Sequence, residues 1–313
     1  MLLKDLLIND KLKSFFESNP IKNINIFGNE VVIDLIINNP TLQARKKVDQ
    51  LLQLAIHKEI NPELKVKINF EYKSLKKENL IKGNPIKGIK SIIAISSGKG
   101  GVGKSTLTAN LSVSLSKMGF KVGVLDADIY GPSIPTMLDV EGSRPLSINV
   151  EGKSKMKPVE NYGVKILSIG FFTKPDQAVI WRGPMATKAL NQMIFDAAWG
   201  DLDFLMIDLP PGTGDIHLSI VQSLPLSGSV VVSTPQNVAL DAAKKGIAMF
   251  RQENIKVPVL GIIENMSYFT PNELPESKYY IFGKSGAKNL SKDMNVPFLG
   301  ELPIEQSIRE SGD

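Results

Sequence analysis

The chain has 313 residues, 42% hydrophobic and 22% charged, with a formal net charge of +5 at pH 7 and no cysteine. These values are typical of a globular protein large enough for two folded units, and the lack of cysteine excludes disulfides and thiolate metal sites. The lysines are scattered among asparagine and isoleucine, so we expect no nucleic-acid partner. No apolar stretch approaches the ~20 residues of a membrane span, and residues 1–5 lack the order of a signal peptide. We therefore expect a cytoplasmic protein without a stable membrane anchor.

Residues 1–73 are predicted to form a separate small α/β domain. Its predicted elements are a first helix with Leu6, Leu7, Phe15 and Phe16, strands at 23–27 and 31–37, a helix opened by Pro40 and the N-cap Thr41, and a strand at 66–72. Residues 74–90 are charged, contain glycine and proline, and show no periodic apolar face, which is typical of a linker. Residues 91–313 are predicted to form a second, larger domain.

A glycine-rich loop opens the second domain. It follows an apolar run at residues 92–95 and precedes residues 107–115, where leucine recurs every fourth position, so the predicted context is strand, loop, helix. Glycines let several amide N–H groups point at one anion, and the helix dipole adds positive potential there. Lys104 would bridge the outer phosphates, and the Ser105 hydroxyl would ligate magnesium. The residues assigned to the nucleotide are Gly98, Lys99, Gly100, Gly101, Val102, Gly103, Lys104, Ser105 and Thr106.

Carboxylates follow two further predicted strands. The strand at 121–125 leads into Asp126 and Asp128, and the strand at 204–207 leads into Asp208, which is the Walker B arrangement. In a parallel sheet, ligands bind at the carboxyl ends of the strands. We expect Asp208 to hold magnesium. The amide of Gly212 would meet the γ-phosphate, as a switch that orders with triphosphate and relaxes with diphosphate.

The remaining elements complete a sheet crossed by helices. Strands are predicted at 164–169, 229–233, 257–263 and 297–300, and helices at 183–197 and 239–250. Residues 143–157 are polar and are assigned no element, and Pro303 lies in a loop expected to close over a bound base. The predicted fold class is α/β: a mostly parallel P-loop NTPase sheet flanked by helices, with a small N-terminal α/β domain.

Lys99, within the string Gly-Lys-Gly-Gly-Val-Gly-Lys-Ser-Thr, resembles the deviant Walker A motif of the MinD, ParA and nitrogenase iron protein group. In that group this lysine reaches across a dimer interface to the partner's nucleotide. The strings at 129–135, 181–185 and 264–267 are similar to those of the Mrp/ApbC family, and the resemblance covers about residues 89–313. It implies a magnesium-dependent ATPase that forms an ATP-dependent homodimer.

The resemblance also implies roles for individual residues. Lys99 and Asp128 would be catalytic, with Asp128 positioning the attacking water, and Asp126 would support the magnesium shell. Loop capping is the alternative for these two acids. Asn265 would hydrogen-bond the adenine, and a buried amide that pairs with one base edge favours ATP over GTP. Residues 1–73 are similar to the MIP-family domain that precedes the ATPase in many Mrp proteins, and a catalytic, structural or docking role stays open.

Members of the Mrp/ApbC family bind an iron-sulfur cluster between two subunits through a Cys-x-x-Cys pair and transfer it to apoproteins. The corresponding stretch here, residues 268–283, has no cysteine, and we expect the family's C-terminal helix to be missing because the chain stops at Asp313. Clusters need thiolate or imidazole ligands, and His57 and His217 fall in different predicted domains.

Two functions are therefore compatible with the sequence. The first is ATP-driven iron-sulfur maturation that acts on apoprotein clients, with no stable cluster on this chain alone. The alternative is a positioning or partitioning ATPase of the MinD/ParA type.

Overall fold

The computed structural model describes residues 20–37, 42–59, 61–72, 85–172, 183–271 and 273–312. Contacts within the chain divide it into two compact units, residues 1–79 and residues 80–313. The first predicted helix, Thr41, Trp181 and Arg182 lie outside the described residues. None of the helices in the described ranges is long and apolar enough to cross a membrane.

The first unit is a three-stranded sheet with one described helix. Its elements are β1 (Ile21–Phe27), β2 (Glu30–Ile37), α1 (Leu42–Glu59) and β3 (Lys65–Tyr72). Strand β2 lies between β1, which is antiparallel to it, and β3, which is parallel to it. Every second side chain of β2 is buried, from Val31 to Ile37, as the two-residue period of a half-buried strand requires. These side chains pack against Val48, Leu52 and Ile56 of α1.

The second unit is built around an eight-stranded sheet. Its strands, with those of a separate hairpin, are β4 (Ile89–Ser97), β5 (Val122–Asp126), β6 (Leu146–Val150), β7 (Lys153–Lys157), β8 (Val159–Asn161), β9 (Val164–Ser168), β10 (Leu202–Asp208), β11 (Gly228–Ser233), β12 (Val259–Glu264) and β13 (Phe298–Glu301). Its helices are α2 (Lys104–Lys117), α3 (Ile134–Met137), α4 (Gly183–Phe195), α5 (Asp215–Ser223), α6 (Asn237–Phe250), α7 (Gly286–Asp293) and α8 (Gln306–Glu310).

The strand order in the sheet is β13-β12-β11-β4-β10-β5-β9-β8. All neighbouring pairs are parallel except β8 with β9. Strands β5 and β11 are buried along their whole length, because helices cover both faces of a parallel sheet. Two clusters of buried apolar side chains pack around the sheet. The predicted fold class is confirmed.

The hairpin β6-β7 lies in the polar segment to which no element was assigned. Its turn residues Glu151 and Gly152 have positive φ angles of 53° and 78°, which two-residue hairpin turns require. Helix α7 was also missed, since its eight residues contain few apolar side chains. Strands predicted at 164–169 and 257–263 are observed at Val164–Ser168 and Val259–Glu264.

Candidate functional site

The candidate site lies at the carboxyl ends of the three central strands β4, β10 and β5. Strand β10 lies between the other two, and its last residue, Asp208, pairs in register with Ile95 of β4 and with Asp126 of β5. The chain leaves β4 through the glycine loop and enters α2 at Lys104. The first turn of α2 contains no acidic residue, so the positive end of its dipole stays available to an anion.

The glycines of the loop serve different purposes. A Cβ on Gly98 would lie 2.1 Å from the backbone of Ala242 in α6, so Gly98 is required by helix packing. Gly103 precedes α2 with a left-handed φ of 80°. Gly100 and Gly101 face open space, since a Cβ on either would meet no atom within 4 Å. The loop therefore leaves its middle free for the close approach of phosphate oxygens to backbone amides, and a nucleotide fits this space.

Lys104 lies beneath this open space among carboxylates. Its Nζ donates a 2.7 Å hydrogen bond to Oδ2 of Asp208 and lies 3.7 Å from Oδ2 of Asp128. The Lys104 side chain is 6% exposed and that of Asp208 is 0% exposed. An ion pair this deeply buried is sensitive to the loss of either partner, because the remaining charge would stay buried without compensation.

Two hydroxyls complete the contacts of Asp208. Ser105 Oγ donates to Oδ2 at 2.6 Å, and Thr108 Oγ1 donates to Oδ1 at 2.7 Å. Both carboxylate oxygens are therefore oriented by α2. The Ser105 hydroxyl and the Asp208 carboxylate are oxygen donors of the kind that magnesium takes together with substrate phosphates, so the donor set fits this ion.

Asp126 is held by three donors. Ser168 Oγ donates to Oδ2 at 2.9 Å, the backbone N–H of Ile134 donates to the same oxygen at 3.3 Å, and the N–H of Asp128 donates to Oδ1 at 3.2 Å. Burial raises the pKa of Asp126 to about 7, and the negative charge of Asp208 acts in the same direction. These contacts hold the Asp126 carboxylate in place, which suits a residue that supports the site without contacting the ligand itself.

Asp128 is slightly more exposed than Asp126, at 9% against 0%. Its Oδ1 accepts a 3.3 Å hydrogen bond from the N–H of Tyr130, and its Oδ2 faces Lys104. Burial raises the pKa of Asp128, and the Lys104 ammonium opposes that shift. A carboxylate fixed in this way can accept a hydrogen bond from a water molecule in the site.

Lys99 and Gly212 differ in their surroundings. Lys99 is exposed on the loop, and no residue in the described part of the chain forms an ion pair with it. The N–H of Gly212 donates to the carbonyl of Ser97 at 2.9 Å. A contact between the Gly212 amide and a γ-phosphate would require this hydrogen bond to break.

Asn265 and Pro303 lie in two hydrogen-bonded segments beside the loop. Asn265 Nδ2 donates to the carbonyl of Val102 at 2.9 Å, so this side chain ties the end of β12 to the glycine loop. The N–H of Leu302 donates to the carbonyl of Glu264 at 2.8 Å, which joins the Pro303 segment to the one that carries Asn265. The segments that carry the two residues assigned to the base are therefore hydrogen-bonded to each other.

Backbone hydrogen bonds join two parts of the stretch that was expected to correspond to the family's cysteine pair. Phe269 and Tyr279 exchange backbone hydrogen bonds of 2.9 and 2.8 Å. Lys278 Nζ lies 3.9 Å from the ring centroid of Tyr268, a cation–π contact. No group of three or more His, Cys, Asp or Glu side chains in the described ranges is placed to hold a metal ion.

The two histidines make separate contacts in separate units. His57 Nε2 lies 2.8 Å from the carbonyl of Leu64, and His217 Nδ1 lies 3.1 Å from the carbonyl of Pro210. Burial lowers the pKa of His217 to about 4, so its ring is neutral at physiological pH.

Thr108 and Ser168 were missed by sequence reasoning. Thr108 follows Lys104 by four positions, so both side chains lie on one face of α2, and that spacing could have identified it. Ser168 ends the strand next to β5, in register with Asp126, and this neighbour relation exists only in the folded sheet.

A parallel sheet with a glycine loop, a buried lysine and a strand-end aspartate defines a P-loop nucleotide-binding protein. Residues 88–313 match the family model described as ParA: NUBPL iron-transfer P-loop NTPase. The chain belongs to this family, which confirms the predicted class.

Curated relatives carry names that agree with the family. An iron-sulfur cluster carrier protein of Synechocystis sp. is 43% identical over 301 residues, 96% of this chain and 84% of the relative. One of the same name from Aquifex aeolicus is 51% identical over 230 residues, 73% of this chain but 61% of the relative. The chain thus spans less than two thirds of the Aquifex protein.

Among solved structures, a nucleotide-binding protein from Archaeoglobus fulgidus in complex with ADP is 38% identical. The match has a TM-score of 0.63 and covers 72% of this chain and 86% of that one. This similarity shows that the second unit shares its fold with that protein.

Proposed function

We propose that this chain binds ATP with magnesium, hydrolyses it to ADP and phosphate, and uses the cycle in iron-sulfur cluster maturation. The observation that carries the proposal is the open middle of the glycine loop above Lys104, Ser105 and Asp208. Backbone amides, an ammonium and two oxygen donors for a cation are the groups that phosphoryl transfer needs. Family membership and the names of the relatives support the iron-sulfur part.

Each group at the site has a role in this proposal. Lys104 would leave part of its contact with Asp208 for the outer phosphates. Ser105 and Asp208 would hold magnesium, with Asp126 supporting the shell, and the ion would neutralise charge on the phosphates. Asp128 would hold the attacking water, whose oxygen bonds to the γ-phosphorus as the bond to the bridging oxygen breaks.

The proposal includes an ATP-dependent homodimer. Lys99 is exposed and pairs with no described residue, so its ammonium is free to reach the nucleotide of a facing subunit. The position of Gly212 would depend on the nucleotide state, because its N–H cannot donate to the carbonyl of Ser97 and to a γ-phosphate at the same time. Asn265 and Pro303 would contact the base, which would favour ATP over GTP.

The chain itself offers poor ligands for a cluster. It has no cysteine, and a ring nitrogen of each histidine, His57 and His217, lies at hydrogen-bond distance from a backbone carbonyl in a separate unit. We therefore propose that it acts on apoprotein clients as an ATP-driven partner, or through ligands that another protein donates. Lys99 is shared with the MinD/ParA-type alternative, but the names of the curated relatives favour the iron-sulfur role. A cytoplasmic location, the lack of a nucleic-acid partner and a MIP-like role for residues 1–73 stay predictions.

Phosphate release by the purified chain tests the nucleotide part. We expect release with ATP and magnesium, little with ATP and EDTA, and slower release with GTP. No release under any of these conditions, together with no binding of ADP in calorimetry, would contradict the proposal.

Anaerobic reconstitution with iron and sulfide tests the cluster part. After gel filtration of the chain alone we expect no cluster absorbance, whereas cluster transfer from a loaded scaffold protein to an apoprotein should accelerate when the chain and ATP are added. Stoichiometric iron and sulfide retained on the chain would instead restore an ordinary carrier role. No effect on transfer would separate the ATPase from iron-sulfur maturation.

A further inference from the structure

The hairpin β6-β7 has a backbone register that its turn determines. Glu151 and Gly152 form a two-residue turn, and the pairs outward from it are Val150 with Lys153, Asn149 with Ser154, and Ile148 with Lys155. In such a hairpin the pair that flanks the turn exchanges backbone hydrogen bonds, and pairs alternate from there. The N–H and C=O groups of alternate residues therefore point out of the hairpin, on β6 from Ser147 and Asn149 and on β7 from Ser154 and Met156.

The outward groups of β7 confirm this register. The N–H of Met156 donates to the carbonyl of Asp196 at 2.9 Å, and the carbonyl of Met156 accepts from the N–H of Ala198 at 2.8 Å. The segment after α4 thus covers the outer edge of β7 at Met156. By contrast, no residue that the structure describes forms a backbone hydrogen bond with the outward groups of Ser147 and Asn149, and both residues are exposed. Among the described residues, the outer edge of β6 therefore has no backbone partner.

The five residues of β6 include no charged residue and no proline, and Arg144 and Pro145 precede the strand. Natural edge strands carry charged residues, proline or a bulge that prevents pairing with another chain. The sequence of β6 is Leu-Ser-Ile-Asn-Val, with no charge, no proline and a regular register over all five residues. An open, uncharged edge is the requirement for recognition by strand addition.

One face of the hairpin, half-buried at Ile148, Val150 and Lys155, shows which kind of strand would fit. Leu146, Ile148 and Val150 of β6 lie directly opposite Lys157, Lys155 and Lys153 of β7, so an apolar row runs beside a row of lysines. Leu146 is 66% exposed. Lysine stems can lie along such an apolar row while their ammonium groups reach beyond it. Arg144 adds a further positive charge at the start of β6, and Glu151 is the one acid between residues 144 and 157.

We propose that β6 is a docking strand for an extended segment of another protein, with apolar side chains at alternate positions and acidic residues at its ends. The segment would add to the hairpin as a third strand through the outward groups of Ser147 and Asn149. Charge complementarity favours this occupant over a second copy of the chain, because two cationic hairpins repel each other. The surface shares no residue with the nucleotide site, so it goes beyond the proposed ATPase function.

The test uses a synthetic peptide of alternating valine and threonine with two acidic residues at each end, read by fluorescence anisotropy. Asn149→Pro removes the outward N–H, and Asn149→Ala is the matched control that keeps it. Because proline is tolerated where the N–H of an edge strand faces solvent, the hairpin should survive the change. We expect Asn149→Pro to weaken peptide binding by about tenfold, the effect of one lost hydrogen bond, and Asn149→Ala to bind normally. Unchanged ADP affinity in both variants would show that they are folded.

A charge reversal tests the lysine row. The triple variant Lys153→Glu, Lys155→Glu, Lys157→Glu should lose the acidic peptide and bind a peptide with lysines at its ends, which a merely damaged hairpin would not do.

Four results would overturn the proposal. The first is no binding of the acidic peptide at about 1 mM, the weak limit of specific affinity. The second is equal binding by the two Asn149 variants. The third is self-association of the chain that Asn149→Pro abolishes, which would assign the edge to a second copy. The fourth is binding to anionic vesicles that depends on the lysines but not on Asn149, with no peptide binding, which would assign the face to a lipid surface.

Discussion

Replacing Lys104 by methionine removes the ammonium beside Asp208 and Asp128 while keeping most of the side-chain volume. The Lys104 side chain is 6% exposed, its Nζ lies 2.7 Å from Asp208, and Asp208 is fully buried. Removing one member of a buried ion pair costs about 3–5 kcal/mol, because the other charge stays buried without a partner. We expect the nucleotide-free Lys104→Met protein to lose about 3 kcal/mol of unfolding free energy at pH 7.5, at the lower end because Thr108 and Ser105 still donate to the carboxylate.

Urea denaturation in EDTA, followed by tryptophan fluorescence, measures this loss. Trp199 is buried in the core beside the sheet, so its emission reports unfolding of the ATPase unit. The control is the double variant Lys104→Met with Asp208→Asn, which removes the unpaired charge and should recover most of the stability. A single variant as stable as the unaltered protein, or a double variant no better than the single, would refute the reasoning.

The same substitution also tests nucleotide binding. Loss of a charge-assisted contact with phosphate should lower ADP and ATP affinity by about 1.5–3 kcal/mol, which is roughly ten- to hundredfold. Isothermal titration calorimetry with magnesium measures the change. Affinity equal to that of the unaltered chain would remove Lys104 from the phosphate site.

Four further predictions use other parts of the second unit. Lys99→Ala should bind ATP nearly normally but release little phosphate, and normal turnover would exclude the trans role of Lys99. Asp128→Asn should bind ATP and stall as a dimer on a sizing column, whereas normal turnover would remove Asp128 from the mechanism. The unfolded chain takes up a proton at His217 as pH falls from 6.5 to about 4 and the folded chain does not, so that window should cost about 3 kcal/mol of stability. His217→Gln should abolish that part of the urea-measured pH dependence, and an unchanged profile would contradict it. Gly98→Ala should destabilise by about 1–3 kcal/mol through its clash with the backbone of α6, whereas Gly100→Ala, which meets nothing, should not.

The phosphate loop could be predicted from the sequence because its determinants are local. A buried strand, a run of glycines and a helix that begins at Lys104 are adjacent along the chain, and each follows from its own residues. The carboxylates Asp126, Asp128 and Asp208 were predicted for a related reason. Asp126 and Asp208 end strands and Asp128 follows one by two residues, and the ends of parallel strands meet at one edge of a sheet whatever the strand order.

Individual glycines could not be interpreted from the sequence. Gly98 belongs to the phosphate motif, yet the structure requires a glycine there because the backbone of Ala242 in α6 approaches it. Gly212 was predicted to meet phosphate through an amide that donates to Ser97 in the folded chain. Both contacts join residues that are distant in sequence, so no local sequence pattern predicts them.

The amino-acid sequence by itself determined the α/β class, the phosphate loop and the lack of thiolate ligands, since these depend on residue types and short-range periodicity. The tertiary structure alone decided which groups complete the site and which surface is open. Ser168 reaches Asp126 because β9 lies beside β5. The segment after α4 pairs with Met156 of β7, whereas the outward groups of Ser147 and Asn149 on β6 have no backbone partner among the described residues. Such facts depend on strand order and on the pairing of distant segments. That pairing is set by the burial of apolar surface over the whole domain rather than by any one stretch of chain.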